Sequence, residues 1–424
     1  MITPSSVWKY WAHDAPQTAR VTESSRVDVA VVGAGYFGIT AALALAAGGA
    51  SVAVLEAGAL GEGGSGLNGG QLIPGLKRSP SELIAQLGHA RGEAVIRFVM
   101  GTAAHVFELV GRHGIECDAQ RHGWIQAAVS ASVLPKMKLR AAESNQWGGD
   151  AKLLDEQELR ALIGNCPSVY CGGWLDRRAG TLHPLNYLYG LARAAQASGA
   201  RIFTQSRVTA ITSGGQLWRV GLAHGPTLTA NAVLMGTNAY ADNLWPGLRQ
   251  SMLAANSLQI ATAPLAAPVL AEILPQRQAV SDGRRVMNYY RVGPQGRFMI
   301  GGRGPFGEAR QRHYGDLLRD ALKLFPQLRG VPIEQRWVGK VALTRDFLPH
   351  VHQPMAGLWL VLGCNGRGIG LMSALGTALG QQLLGRTATQ PFEVSRLRPL
   401  PLHRLHKLYA GGLIQWFRDR KSVV

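Results

Sequence analysis

An apolar run, a glycine-rich turn, a helical stretch and a second apolar run follow one another near the start of the chain. Residues 27–32 are rich in valine, as is typical of a parallel strand that is buried on both faces. The turn at 33–38 has the spacing Gly-x-Gly-x-x-Gly, and residues 39–47 are rich in Ala and Leu, which favour a helix. Residues 51–55 form the second apolar run, which ends at Glu56. This order predicts a strand–helix–strand unit.

The spacing of these glycines and of the acid is typical of a dinucleotide-binding site. Gly33 allows a tight turn, Gly35 lets the backbone approach a pyrophosphate, and Gly38 lets the helix pack closely against the strand. The free N–H groups and the positive dipole end at the start of the helix favour phosphate groups. The Glu56 carboxylate can accept hydrogen bonds from ribose hydroxyls but would repel a 2′-phosphate. We therefore expect a dinucleotide with an unphosphorylated ribose.

Helical and β-type patterns alternate along the rest of the chain. Helical periodicity predicts helices over residues 80–112, 135–146, 156–163, 184–198, 314–325 and 371–384. Short β-branched runs predict strands over residues 124–129, 172–175, 201–211, 217–222, 228–235, 258–262, 286–292, 297–300 and 358–362. The strands between 258 and 300 have few helices between them, which favours an antiparallel sheet. Residues 358–384 repeat the order of strand, glycine-rich loop and helix. We predict an α/β fold, with a Rossmann-like nucleotide-binding domain built from separated segments and an inserted, antiparallel α+β domain.

A second glycine-rich stretch follows the first unit at residues 58–75. It has too many glycines for the interior of a helix or a strand. Such a loop suits the close approach of the backbone to a flat ligand, and Leu67, Leu72 and Ile73 can anchor it. The polar segment 1–26 is expected to pack on the outside of the nucleotide-binding domain.

Composition and charge narrow the possible partners. The 424 residues are 46% hydrophobic, enough for two or three domain-sized units, and they contain no apolar run of about eighteen residues that would predict a membrane span. Residues 1–19 lack the apolar core of a secretory signal peptide. The net charge of +18 implies an acidic partner surface, but no nucleic-acid-binding motif accompanies it, so we expect no nucleic acid partner. The four cysteines are scattered, and a zinc site from Cys166, Cys171 and His183 would match no standard spacing, so we predict no metal site.

Over residues 27–384 the ensemble resembles the D-amino-acid oxidase superfamily of FAD-dependent amine oxidoreductases, which includes sarcosine and glycine oxidases. Residues 65–71, 237–240 and 345–350 look most like the branch of γ-glutamylputrescine oxidases and bacterial L-pipecolate oxidases. The resemblance implies an FAD-binding domain and a substrate domain. The FAD-binding domain would comprise residues 1–80, 170–245 and 330–395, and the substrate domain residues 81–169 and 246–329.

The resemblance also implies roles for individual residues. The ADP half of FAD would be held by Gly33, Gly35, Gly38 and Glu56, with Val208 at the adenine. The flavin ring would be lined by Ser65, Asn68, Gly69, Gly70 and Gln71. The other cofactor residues would be Asn238 and, at the pyrimidine edge, Gly366, Arg367, Gly368 and Ile369. Arg367, or the start of the helix near Leu371, can stabilise the negative charge of reduced flavin. A surface salt bridge is the less favoured alternative for Arg367.

The sequence departs from the family pattern at two places. Sarcosine oxidases carry a flavin-linking cysteine ahead of the last strand, but the corresponding residues 339–344 contain none, so we predict non-covalent FAD. Those oxidases also have a lysine for the substrate carboxylate where Gly370 stands here. Arg303 and Arg291 are the candidates to replace it, because a guanidinium suits a carboxylate geometrically. Each can equally be an exposed arginine at a sheet edge.

The expected reaction removes a hydride from a C–H bond next to an amine nitrogen, transfers it to the flavin and leaves an imine. It needs no strong base. Tyr290 and His350, with His183 and His352, can tune amine protonation or orient the substrate, and each also fits a structural role.

A cyclic imino acid such as L-pipecolate is the leading substrate. Only Glu272 and Asp282 are acidic between residues 252 and 306, which favours an anionic substrate. A γ-glutamylputrescine or polyamine oxidase is the alternative. A non-oxidase flavin-binding or tRNA-modifying protein is a third possibility, which the basic charge keeps open.

The C-terminal segment 396–424 combines apolar residues at helical spacing with basic residues. The apolar members are Leu402, Leu405, Tyr409, Leu413, Trp416 and Phe417, and the basic ones are Arg404, Lys407, Arg418, Arg420 and Lys421. This pattern is typical of a helix that lies in a membrane interface. We expect a monotopic enzyme on the cytoplasmic side of the inner membrane, bound to an anionic surface and passing electrons to a quinone or to oxygen. The alternative is a soluble cytoplasmic enzyme with this helix docked on its own surface.

Overall fold

The computed structural model describes residues 6–164, 169–284, 286–386 and 390–419, with only the backbone described over 413–419. The helices are α1 Tyr36–Ala47, α2 Gly64–Leu67, α3 Pro80–Leu87, α4 His89–Met100, α5 Thr102–Arg112, α6 Leu134–Gln146, α7 Glu156–Ile163, α8 Pro184–Ala197, α9 Ala267–Glu272, α10 Gln311–Leu324, α11 Gly368–Leu383 and α12 His406–Asp419. The strands are β1 Ser25–Val32, β2 Val52–Leu55, β3 Gln71–Leu72, β4 Trp124–Ala127, β5 Ala151–Leu154, β6 Gly173–Asp176, β7 Gly180–Thr181, β8 Arg201–Phe203, β9 Val208–Ser213, β10 Trp218–Leu222, β11 Thr227–Met235, β12 Leu253–Pro264, β13 Ala279–Asp282, β14 Asn288–Val292, β15 Arg297–Arg303, β16 Ile333–Leu343, β17 His350–Met355, β18 Leu358–Leu362 and β19 Val394–Ser395.

The first sheet brings the two strand–turn–helix units together, as the sequence predicts. Its order is β19-β17-β18-β11-β1-β2-β8, with β10 beside β11 and β9 beside β10. Strand β1 pairs in parallel with β2 and β11, and β11 pairs in parallel with β18. Every residue of β2 and of β18 is buried, which explains their continuous apolar sequences. Helices α1 and α11 pack closely against each other, because a side chain at Gly376 would overlap the backbone of Phe37.

The second sheet has the order β16-β12-β15-β14-β13-β4-β6-β5 and is antiparallel except between β13 and β4. The predicted antiparallel sheet is therefore present, but its membership differs from the predicted boundaries. Strands β6 and β16 belong to it, although residues 170–245 and 330–395 were assigned to the nucleotide-binding segments. Conversely, Val95 and Val106 of helices α4 and α5 are buried in the core beside the first sheet. A hydrophobic pattern shows which face of an element is buried, but it does not show which sheet covers that face.

Two predicted elements are divided differently in the structure. The predicted helix at 80–112 is three helices, which are separated at Gly88 and Gly101, and Gly88 has a positive φ of 78°. The glycine-rich stretch 58–75 contains the short helix α2 and the strand β3, contrary to the prediction that it could form neither. Gly66 lies inside α2. Glycine is required there because a side chain would overlap the carbonyl of Gly61.

The segment His89–Arg112, which comprises α4 and α5, is long and apolar enough to cross a membrane by length and composition alone. No such span was expected from the sequence. Its residues Val95, Ile96, Val99 and Ala103 are buried in the first core. Packing inside the protein therefore accounts for this apolar surface.

Candidate active site

A cavity of about 1340 Å³ lies between the two sheets and contains most of the predicted cofactor residues. The residues that line it from the predicted set are Gly33, Gly35, Glu56, Ser65, Asn68, Gly69, Gln71, Val208, Asn238, Arg303, Gly366, Arg367, Gly368 and Ile369. Most come from the β1–α1 turn, the stretch 58–75, the second sheet and the β18–α11 turn, while Glu56 follows β2, Val208 lies on β9 and Asn238 follows β11. The cavity therefore runs from the nucleotide-binding turn to the second sheet.

The β1–α1 turn has the geometry of a dinucleotide cradle. Gly33 adopts a φ of 99°, and its N–H donates to Leu55 O at 2.9 Å. Gly38 does not line the cavity but packs α1 onto the turn, since a side chain there would overlap the carbonyl oxygen of Gly33. The Glu56 carboxylate accepts hydrogen bonds from Ala34 N at 2.9 Å and from Gly58 N at 3.2 Å. The acid thus ties the turn to the end of β2, while the open glycine backbone fits a pyrophosphate.

The segment 65–71, which we call the flavin loop, is held in one conformation by its own side chains. Ser65 Oγ accepts from Tyr36 N at 3.1 Å. Asn68 donates to Ser65 O at 2.8 Å and accepts from Gly70 N at 2.9 Å. Gln71 Nε2 donates to Tyr290 O at 3.1 Å. Gly69 lines the cavity, and an added Cβ there would lie 3.0 Å from Gln259 Oε1 and 3.2 Å from the Tyr289 ring, which is closer than most Cβ contacts. The lack of a side chain at this position leaves the backbone open to a flat ligand, which fits FAD.

The N-terminal segment packs at the outer edge of the first sheet, where Ala19 pairs with Phe203 of β8, and it also supports the flavin loop. Trp8 is fully buried, and its indole N–H donates to Asn68 O at 2.8 Å. Ser6 Oγ donates to Gly66 O at 2.9 Å. The Trp8 ring meets the imidazole of His183 edge-on, with 5.0 Å between ring centroids. Aromatic residues in a polar segment gave a signal for such burial that the prediction did not use.

Three of the four predicted catalytic residues lie outside the cavity lining. Successive residues of a strand point to opposite faces. Tyr289 of β14 therefore faces the cavity, whereas Tyr290 is buried in the second core among Phe298 and Phe325. His350 lies on β17 and hydrogen-bonds with the Asp346 carboxylate at 3.0 Å. Neither Tyr290 nor His350 therefore lines the cavity.

Arg291 has a structural position instead of a substrate-binding one. Its guanidinium donates to Gly70 O at 2.9 Å, to Leu182 O at 3.0 Å and to Val292 O at 3.2 Å. Burial lowers the pKa of Arg291 to about 10. Arg291 thus fastens the back of the flavin loop, and Gly70, which does not line the cavity, is enclosed between Arg291 and Leu182.

Arg303, at the end of β15, lines the cavity beside Tyr289. The Tyr289 hydroxyl lies 2.6 Å from Ser257 Oγ, and burial raises the pKa of Tyr289 to about 12. Burial lowers the pKa of Arg303, and the proximity of Tyr289 opposes this effect. A neutral phenol beside a guanidinium is an arrangement that can hold and orient a carboxylate.

Sequence reasoning missed Tyr289, and it also missed Lys77, Arg140 and Trp124, which line the cavity as well. The period-two alternation of β14 was the available signal for Tyr289.

The Arg367 guanidinium lies 4.9 Å above the Trp124 ring, so it forms a cation–π contact instead of the surface salt bridge considered as its alternative. Burial, with the charge of Arg140, lowers the pKa of Arg367 to about 9.

Asn238 has a positive φ of 47°, and its side-chain oxygen accepts from Gly363 N at 3.0 Å, so it joins the end of β11 to the β18–α11 turn.

The zinc alternative finds no support in the residues around His183, whose Nδ1 caps helix α8 by accepting from Asn186 N at 3.1 Å. Cys166 lies outside the described residues, and Cys171 is a free thiol.

A parallel sheet with two glycine-turn units, joined to a second sheet over one cavity, defines a dinucleotide-binding oxidoreductase. The family model named DAO, FAD dependent oxidoreductase, matches residues 28–382, and the chain therefore belongs to that family. The protein is an FAD-dependent oxidoreductase of amines or amino acids.

Individual relatives agree with this assignment. The chain is 30% identical to the probable oxidoreductase OrdL of Haemophilus influenzae over 86% of this chain and 84% of the relative. It is 30% identical to the γ-glutamylputrescine oxidoreductase of Escherichia coli K12 over 89% of this chain and 88% of the relative. The crystal structure of glycine oxidase from Geobacillus kaustophilus superposes with a TM-score of 0.71 at 22% identity, and covers 88% of this chain and 99% of the solved one.

Proposed function

We propose that this enzyme oxidises a secondary amine or amino acid that carries a carboxylate, with a cyclic imino acid such as L-pipecolate as the leading candidate. The observation that supports it is the placement of Arg303 and Tyr289 in the cavity wall next to Gly69 of the flavin loop. In this proposal FAD occupies the first-sheet side of the cavity and the substrate occupies the second-sheet side.

When bound, FAD would accept one hydride, which is two electrons and a proton, from the C–H bond next to the nitrogen. The residues of the chain bind and orient the substrate. Arg303 pairs with the carboxylate, and the Tyr289 hydroxyl donates a hydrogen bond to the same group. Other cations in the cavity lining, among them Lys77 and Arg367, disfavour a further positive charge and so favour the neutral amine that the reaction requires.

Anaerobic bleaching of the flavin absorbance tests this proposal. The panel comprises L- and D-pipecolate, L-proline, sarcosine, glycine and γ-glutamylputrescine. Bleaching by a cyclic amino acid, and its loss in Arg303→Met, would support the proposal. Arg310→Met is a matched control, because Arg310 lies outside the cavity lining. Bleaching that survives unchanged in Arg303→Met would contradict the role of Arg303.

A γ-glutamyl-polyamine substrate is the second candidate. It is supported by the similarity to γ-glutamylputrescine oxidoreductase and by Glu82, an acid in the cavity lining that can meet a cationic group. Bleaching by γ-glutamylputrescine alone would favour this candidate over the first.

We further propose that the C-terminal segment attaches the enzyme to an anionic membrane on the cytoplasmic side, where electrons pass to a quinone or to oxygen. Leu402, Leu405, Leu408 and Tyr409 are exposed, by 71%, 48%, 74% and 40%. The opposite side of the segment contacts the enzyme, since Ala410 is buried and the His406 ring lies 5.6 Å from that of Phe306. The predicted contributions of Leu413, Trp416, Phe417, Arg418, Arg420 and Lys421 fall on residues whose side chains are not described.

Deletion of the residues after Arg398 tests the membrane proposal. The shortened enzyme should move from the membrane pellet to the supernatant at low ionic strength. If the truncated protein stays in the pellet, the segment is not the anchor. If the full-length protein is never in the pellet, the soluble alternative is correct.

A further inference from the structure

Basic side chains are concentrated on one part of the cavity wall, which we call the basic wall. Lys77 and Arg78 follow the flavin loop, Arg140 lies on α6, Arg303 ends β15 and Arg367 precedes α11. All five line the same cavity. They thus converge from four separate parts of the chain.

The basic wall contains more positive charge than its protein neighbours balance. Among the described residues, no carboxylate lies within 4.0 Å of the charged groups of Lys77, Arg140 or Arg367. Arg140 donates to the backbone oxygens of Leu76 and Lys77. Glu82 also lines the cavity, but it caps α3 and lies 4.0 Å from Lys136. The charges of Glu82, Glu143 and Asp176 still act on Arg140, and that of Asp176 acts on Arg367, so these two arginines are partly compensated. A buried cation without a nearby opposite charge is unfavourable, so the part of the wall at Lys77 is suited to an anion.

Lys77 lies with Arg78 beside the ring of Phe347. Its ammonium lies 5.8 Å from the centre of the Phe347 ring, and Arg78 lies 5.7 Å from the same ring. Burial and the charges of Arg303, Arg367 and Arg140 lower the pKa of Lys77 to about 7, while Cys364 has the opposite influence. A bound anion would relieve this repulsion and favour the ammonium form.

The FAD-binding residues and the proposed substrate carboxylate account for Arg367 and Arg303, but not for Lys77. We infer that the basic wall contains a second anion subsite at Lys77, and that the natural substrate is an amine with two acidic groups, one bound at Arg303 and the other at Lys77. This inference rests on the proposed function, since it assumes that Arg303 holds the first carboxylate. It keeps the carboxylate-bearing amine of that proposal but replaces L-pipecolate, which has a single carboxylate, as the leading member of the class. The chemical class is an amino dicarboxylic acid or an N-substituted relative of one.

Titration of the oxidised holoenzyme with carboxylates that cannot be oxidised tests the subsite without turnover. The probes are matched pairs of equal chain length, butyrate with succinate and valerate with glutarate, and the readout is the flavin difference spectrum. One additional charge-assisted hydrogen bond predicts a preference of roughly tenfold for the dicarboxylate. Lys77→Met should abolish this preference and leave the affinity for the monocarboxylate within about twofold. Lys138→Met, at an exposed lysine of α6, should retain it.

A second measurement on the unaltered enzyme keeps the test independent of the variant's folding. At pH 8 Lys77 is mostly neutral, so a dicarboxylate bound there should cause proton uptake, which a pH indicator in weak buffer detects. A monocarboxylate should cause much less. Equal affinities for the two probe types, a preference that persists in Lys77→Met, or binding without proton uptake would each overturn the subsite.

The same titrations separate this inference from the proposed function. Suppose that amines with one carboxylate bleach the flavin and that the two probe types bind with equal affinity. The proposed function would then be supported and the subsite would be refuted. A dicarboxylate preference in a protein that no amine bleaches would retain the subsite and remove the proposed function. If an amino dicarboxylate bleaches the flavin and its kcat/KM exceeds that of its monocarboxylate counterpart, the proposed function and the subsite are both supported.

Discussion

Acid should destabilise the start of helix α8, because its cap is a histidine that has to be neutral. His183 is 4% exposed, and its Nδ1 accepts a hydrogen bond from Asn186 N, so the ring proton is on Nε2. A second proton would occupy Nδ1, remove the cap and place a charge in the core near Arg291. Burial and the charge of Arg291 accordingly lower the pKa of His183 to about 4.

The size and sign of the effect follow from this pKa. In the unfolded chain the pKa of a histidine is about 6.5, so between pH 6.5 and 4 the unfolded state binds a proton that the native state does not. The free energy of unfolding therefore decreases as the pH falls through this window, and the contribution of His183 levels off below pH 4. A difference of two to three pKa units corresponds to about 3 kcal/mol.

Urea unfolding of the holoenzyme from pH 8 to pH 4, followed by tryptophan fluorescence, measures this contribution. His183→Asn is the comparison, because asparagine caps a helix well and does not titrate. The variant loses the ring that packs on Trp8, which lowers its stability equally at every pH. Between pH 6.5 and 4 the native protein should lose about 3 kcal/mol more than the variant. Parallel curves for the two proteins would refute the neutral cap.

The cofactor and substrate assignments give three further predictions. Gly38→Ala should abolish FAD binding, since the methyl group would overlap Gly33 O. The control Gly111→Ala has open space in α5, so it should retain FAD and gain about 1 kcal/mol of stability. Equal flavin content in the two variants would contradict this prediction. Tyr289→Phe should lower kcat/KM by roughly tenfold, because one hydrogen bond to a charged group is lost. The control Tyr290→Phe should keep kcat/KM within about twofold of the unaltered enzyme. A larger loss in Tyr290→Phe than in Tyr289→Phe would assign the substrate contact to Tyr290. Acid precipitation of the holoenzyme should leave the yellow flavin in the supernatant, and a yellow pellet would show a covalent link.

The sequence predicted the parallel core of the fold and most of the cofactor cavity because both depend on short segments. Gly33, Gly35 and Glu56 lie within one strand–helix–strand unit, so their spacing along the chain determines their positions in space. The flavin loop is likewise one segment. Local patterns of this kind need no knowledge of which distant element covers them.

Features that join distant segments were not predictable in the same way. Arg291 and Arg303 had equal claims as carboxylate ligands, and only the packing of β14 against the flavin loop shows that Arg291 supports the backbone while Arg303 faces the cavity. Lys77 and Arg140 are far apart in the sequence, and neither belongs to a motif. Their convergence results from the position of α6 beside the end of the flavin loop.

The strand order of the first sheet also determines when the protein can acquire its cofactor during synthesis. Strand β1 emerges early from the ribosome, but its neighbour β11 and the partner helix α11 follow much later in the chain. The buried surface of α1 therefore remains without its final cover until residues near Leu383 have been made. Because the cavity lining includes residues 366–369, we expect stable FAD binding only when translation is almost complete, and the apolar first unit is exposed to aggregation until then.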